Sequence, residues 1–238
     1  MNFFDMLSGN PYPGRGIALG RSADNERAVI VYFIMGRSEN SRNRVFEATD
    51  DGIRTRAFDA SKMTDPSLII YHPVRTLHGH TIVTNGDQTD TIRDYLAAGK
   101  PFADALRTRT FEPDGPNWTP RISGLLTPDG GYRLSILKSA DGDAACCERF
   151  FFEYDAPIAG VGHFLSTYET DGSPLPSFRG ETRRIEFGDE TAEALAGAVW
   201  SALNAANRVS LFVRTVDLAT GRTDTAIINR HAEGGQNA

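Results

Sequence analysis

Most apolar positions of this chain fall in short, strand-length segments bounded by turn residues, and only two regions break into the longer helical period. Residues 1–11 read as a lead-in, and Pro11-Tyr12-Pro13-Gly14 as a turn that opens onto a strand at Ile17–Gly20. Ala28–Met35 is an unbroken apolar run rich in β-branched and aromatic residues, the pattern of a strand buried on both faces. Together these predict an N-terminal hairpin that brings Arg15 and Arg37 close. Further strands are predicted at Val45–Ala48, Ile53–Phe58, Ser67–Tyr71 and Thr81–Thr84, with Tyr71 to Arg75 as an irregular exit and Asn85-Gly86-Asp87 as a turn.

A helix follows, capped at Thr89 or Asp90, with Ile92, Tyr95 and Leu96 on one face until Gly99. Pro101 starts a second helix over Phe102–Arg109, and Phe111–Pro120 reads as a loop at the rim of a site. Strand patterns return at Arg121–Leu126, Tyr132–Lys138, Arg149–Tyr154, Val161–Thr167 and Thr182–Phe187, at the spacing of a meander. Glu190–Asn207 is the strongest helical stripe, capped near Asp189, and Val209–Asp217 with Asp224–Asn229 forms a last hairpin. About a dozen strands and three helices, grouped in blocks, give an α+β fold with large, mainly antiparallel sheets and outer helices. Residues 1–238 read as one domain, with 231–238 as a flexible tail.

Composition narrows the function. The chain has 238 residues and a net charge of −6, which argues against a nucleic-acid binder and sets off the local cluster Arg37, Arg42 and Arg44. Guanidinium forks suit phosphate or carboxylate, so a small anionic ligand is one reading and a solvated loop paired to carboxylates such as Glu39 the other. The N-terminus lacks the pattern of a signal peptide, and no segment has the apolar length of a membrane span. Cys146 and Cys147 are adjacent, a poor arrangement for a structural disulfide, which fits a reducing, cytoplasmic setting.

The familiar phosphate loop, dinucleotide fingerprint, paired-cysteine metal site and nucleophile elbow are missing from the sequence. His72, His78 and His80 lie close together without a neighbouring carboxylate ligand, so no metal is expected there. What recurs at strand exits is a mixture of arginine, amide, phenol and carboxyl groups: Arg15, Arg37, Arg44, Tyr71, Arg75, Asn85, Asp87, Glu112, Asn117 and Arg121. Such a set can bind a phosphate and move protons with no cofactor. Each residue also has a plain structural reading: Tyr71 as a core tyrosine, Asn85 and Asp87 as turn residues, Glu112 as a cap or a partner of Arg109.

Five blocks in order resemble the archaeal-type IMP cyclohydrolase family: Tyr12-Pro13-Gly14-Arg15; Gly36-Arg37-Ser38 to Asn43-Arg44; Tyr71-His72-Pro73-Val74-Arg75; Asn85 to Ile92; and Glu112 to Ile122. The resemblance thins after about Gly124. It implies an Ntn-hydrolase-like four-layer α/β/β/α sandwich that uses no N-terminal nucleophile. It also implies closure of the purine ring of 5-formamidoimidazole-4-carboxamide ribotide with loss of water, giving IMP in de novo purine biosynthesis. By the same resemblance, Arg37, Tyr71 and Glu112 would be catalytic. Arg15, Arg44, Arg75, Asn85, Asp87, Asn117 and Arg121 would bind a small purine ribotide, with the phosphate expected on Arg15, Arg44 and Arg121. Neither cofactor nor metal is implied, and a homo-oligomer is left open. The chain departs from the pattern in its length, in the insertion Asn40-Ser41-Arg42 and at Trp118. These leave as alternatives a nucleotide-binding homologue without turnover and an amide hydrolase on a related nucleotide.

Overall fold

A computed structural model of the chain describes residues 2–63, 66 and 68–231. Two antiparallel sheets lie face to face. The first has six strands: β1 (Arg15–Arg21), β2 (Arg27–Met35), β10 (Val161–Ser166), β11 (Arg183–Glu186), β12 (Arg208–Asp217) and β13 (Thr223–Asn229), in the order β11-β10-β1-β2-β12-β13. The second is a seven-stranded meander of β3 (Arg44–Thr49), β4 (Gly52–Ala57), β5 (Val74–Leu77), β6 (His80–Thr84), β7 (Arg121–Leu126), β8 (Tyr132–Ser139) and β9 (Cys147–Tyr154), paired in chain order.

β2 is buried on both faces because it sits mid-sheet, bonded to β1 and β12. Its period-two alternation sends Val29, Val31, Phe33 and Met35 to one core and Ile30, Tyr32 and Ile34 to another. The second of these cores lies between the sheets and is closed from the facing sheet by Phe46, Ile53, Val74, Val83 and Ile122. Outside the first sheet pack α1 (Phe3–Ser8) and α5 (Ala192–Ala202); outside the second, α3 (Gln88–Ala97) and α4 (Phe102–Arg107) cover Ile82, Leu125 and Leu137. The layers are therefore α/β/β/α, as the family resemblance implies, with the antiparallel sheets and outer helices that the element pattern predicts. No helix among the described residues is long and apolar enough to cross a membrane.

Several local expectations are corrected. Within the lead-in, Asn2 caps α1 by accepting from the Phe4 and Asp5 amides, and Phe3 and Leu7, one turn apart, are buried. The arginine loop holds one helical turn, α2 (Glu39–Arg42), closed by a reciprocal Ser38–Ser41 capping box. No strand forms over the described part of 67–71; Leu68 and Ile69 lie in a turn, and the strand comes later as β5. Tyr71 is instead fastened by its backbone, its amide donating to Thr55 Oγ1 at 2.8 Å and its carbonyl accepting the Thr55 amide at 2.9 Å. α3 begins at Gln88 without a side-chain cap from Asp87, because that carboxylate is taken by Arg109 and Arg121 at 2.5 and 2.8 Å. α5 is shorter than its apolar stripe and is capped by Thr191, not Asp189. Of the tail expected over 231–238, His231 stacks on Phe58 with ring centroids 4.4 Å apart, and the rest lies outside the described residues.

Candidate active site

Strand direction explains why distant parts of the sequence meet. In an antiparallel sheet, β1 starts where β2 and β10 end; in the meander, β3, β5 and β7 start where β4 and β6 end. Hydrogen bonds tie these two ends together, two of them between side-chain hydroxyls at the site. Tyr32, on β2, meets Tyr71, just before β5, hydroxyl to hydroxyl at 3.0 Å. Thr119, just before β7, meets the hydroxyl of Tyr168, just after β10, at 2.6 Å. Arg15, Arg44, Asn85, Glu112 and Arg121 all enter at this same end.

Arg44 is fully buried, yet its Nη1 and Nη2 have no hydrogen-bond partner in the protein; only Nε is used, donating to the Ser41 carbonyl at 2.9 Å. Arg15 keeps some residue exposure while its Nε is sealed from solvent and likewise unpartnered. Burial, followed by the Arg15 charge, pushes Arg44 below the ordinary arginine value. At Arg15 burial opposes the charge, but Glu112, with the Tyr168, Tyr12 and Tyr71 phenols, carries its pKa above the ordinary value. Buried donors normally find partners, so the Arg44 fork and the Arg15 Nε suit a group with oxygen or nitrogen lone pairs.

Glu112 is 2% exposed, and burial pushes its carboxyl up to about 7 against the pull of Arg15 and Arg121. It is thus a carboxyl able to change protonation near neutrality, the property a general base needs. Asn85 holds it: its amide donates to Glu112 Oε1 at 3.4 Å and to the Pro120 carbonyl at 2.9 Å, while its Oδ1 accepts from Gln88 and the Ile122 amide. Tyr32 is pushed well above the ordinary phenol value by burial and by Tyr71, and Tyr168 up to about 12 by burial.

The other sequence candidates take different places. Arg37 lies at the exposed edge of the cluster, its guanidinium 5.1 Å from the Tyr12 ring centroid and bonded to Asp171 at 2.5 Å and the Gly172 carbonyl at 2.9 Å. Arg121 is bound to Gln88 at 2.7 Å and to Asp87, so it supports the Glu112 wall with its charge already shared. Asp87 is half-exposed between two arginines. Arg75 is brought elsewhere: it faces α3 and bridges Asp51 and Asp90, each at 2.8 Å. Asn117 accepts the Leu175 amide at 3.1 Å, joining the rim loop to the segment after Tyr168.

Four residues were not singled out by sequence as site residues. Tyr12 stands in a motif in which the arginine carries the chemical signal. Tyr32 was hidden inside an apolar run, where a phenol reads as one more core ring. Thr119 lay in a loop phrase valued for its arginine, and Tyr168 lies beyond the last recognisable motif.

Residues 12–221 match the family described as IMP cyclohydrolase-like protein. Among curated relatives, the IMP cyclohydrolase of Methanococcus maripaludis strain C7 is 35% identical over 126 residues, 51% of this chain and 61% of that protein. That of Halobacterium salinarum strain R1 is 33% identical over 132 residues, 54% of this chain and 63% of its own. The match to the Methanopyrus kandleri enzyme of the same name is 31% over 161 residues, 66% and 75% of the two chains. The chain thus spans less than two thirds of the length of the first two relatives.

Proposed function

Because the chain belongs to the IMP cyclohydrolase-like family, we propose that it closes the pyrimidine ring of 5-formamidoimidazole-4-carboxamide ribotide, giving IMP and water. The observation that carries this reading is the pairing, in one buried cluster, of a carboxyl poised near pH 7 with the fork of Arg44 and the Nε of Arg15, which the protein leaves unbonded. A carboxamide nitrogen is a weak nucleophile and a formyl oxygen a weak acceptor of charge. Closure therefore needs a base at one and fixed donors at the other.

Glu112 is the base, and Tyr71 with Arg44 the donor pole. The carboxamide nitrogen attacks the formyl carbon, forming the N–C bond as one N–H proton passes to Glu112. The carbonyl electron pair moves onto oxygen, held by Arg44 and protonated by Tyr71. In the second half the C–O bond breaks. The leaving hydroxyl takes the proton from Glu112 and departs as water, while the former formamide nitrogen yields its proton to Tyr71 as the C=N bond forms. Arg15, between the two poles, offsets negative charge on whichever side carries it.

This division differs from the one the family resemblance implies. Arg44 is too deep and too dry for a phosphate dianion that must stay partly solvated, and Arg37, solvent-accessible above Tyr12, suits the phosphate better. A cytoplasmic enzyme acting on a small ribotide agrees with the two free thiols, Cys146 and Cys147. Incubation of purified protein with the formylated ribotide should give IMP, followed by absorbance and chromatography. Tight binding of IMP with no ring closure would return the protein to the nucleotide-binding reading.

A further inference from the structure

Asp114, Thr119 and Tyr168 form a hydrogen-bonded chain at the edge of the cluster. Thr119 Oγ1 donates to Asp114 Oδ2 at 2.5 Å, while the Thr119 amide donates to Asp114 Oδ1 at 2.7 Å. A carboxylate only accepts, so the single hydroxyl proton of Thr119 is committed to Asp114. Thr119 Oγ1 must then accept from Tyr168, whose hydroxyl lies 2.6 Å away. The Tyr168 proton is thereby committed to Thr119, and its oxygen keeps only lone pairs for any other partner; Arg15, Asp114 and Glu112 are the charged groups that act on it.

The ring is held as firmly as the proton. It is 1% exposed and stacks on Tyr12 at 6.0 Å and 20°. Its backbone amide donates to the Pro13 carbonyl and its own carbonyl accepts from Ser166 Oγ. Gly14, at φ +78°, lets the chain pass beside it: a Cβ there would come within 2.5 Å of the Tyr168 ring.

We infer that Tyr168 is a ligand-binding residue that accepts the one N–H of the carboxamide nitrogen retained through ring closure, with Thr119 and Asp114 as the positioning residues that keep it an acceptor. This rests on the proposed reaction. The nitrogen carries two protons and loses one; a fixed acceptor on the other turns the departing proton toward Glu112 and selects which rotamer of the carboxamide reacts. The same contact persists in the product, where the retained hydrogen is the N1–H of the hypoxanthine ring. AMP has a lone pair at N1 and would face the Tyr168 lone pair instead.

Calorimetric titration of the full chain with IMP and with AMP tests this. Wild type should prefer IMP, and Tyr168→Phe, which keeps the stacked ring, should cut that preference about 3- to 10-fold, the worth of one neutral hydrogen bond, by weakening IMP and relieving the lone-pair contact that AMP meets. Thr119→Val should do the same and Thr119→Ser should restore the preference, a rescue that a purely packing role would not produce. An unchanged IMP-to-AMP ratio in Tyr168→Phe, with wild-type ring closure intact, overturns the assignment and leaves the proposed function standing. Wild type that binds neither nucleotide overturns both.

Discussion

Glu112 is buried enough that the outcome depends on pH. Its carboxyl rises from 4.5 to about 7 on folding, mainly through burial. In acid both states hold the proton and nothing is lost. Between those two values the unfolded chain ionises while the folded one does not, so stability falls as pH rises, by roughly 3 kcal/mol in all. Glu112→Gln should remove this slope: urea denaturation at pH 5 and pH 8 should give nearly equal stabilities, whereas wild type is less stable at pH 8. Turnover should run the opposite way, rising in wild type through an acid limb near pH 7 as the base ionises; a limb that survives in Glu112→Gln would assign it to another group. The sequence shows that Glu112 exists in a rim loop, but not that Asn85 and the second sheet seal it from water. Nor does it separate Arg44, whose fork is left open, from Arg75, spent on Asp51 and Asp90, since both are arginines at strand ends.

Elements are legible where one physical signal dominates and lost where two compete. β2 follows from its unbroken apolar run, and most of the meander and α5 from their period. The segment before β5 does not: its apolar residues predict a strand, but two backbone hydrogen bonds to Thr55 hold Tyr71 in place instead. α1 is not legible in the sequence because six residues rarely make a helix unaided; it exists because Phe3 and Leu7 reach the core that α5 also covers. Leu7→Ala should therefore cost about 3 kcal/mol in urea denaturation, a loss that a frayed lead-in would not show. A difference below about 0.5 kcal/mol would mean that α1 contributes little to the fold.

For the molecule as a whole, counting strand and helix blocks gives large antiparallel sheets with outer helices and the family resemblance implies their layered order, while the meeting of the two sheets at one end depends on hydrogen bonds between residues more than thirty positions apart. A net charge of −6 on the chain surrounds a positively charged interior cluster, and the cost of keeping those arginines dry falls on the ligand-free protein. A ligand that meets them should return it as heat resistance. At about 100 times its dissociation constant IMP should add ~2.7 kcal/mol, raising Tm by roughly 5–10 °C for a chain of this size. Inosine, lacking the phosphate, should give a smaller rise at equal concentration, and equal rises would remove Arg37 from the binding scheme.

Tyr32 belongs to the seam between the sheets, stacked on Phe46 at 5.6 Å, and it also holds the hydroxyl of Tyr71. Scaffold and reaction chamber thus share a wall. Variants of Ile30, Tyr32 or Phe46 selected only for hardiness would reshape the chamber, and those selected only for speed would loosen the seam. Evolution of this protein is constrained to change the two together.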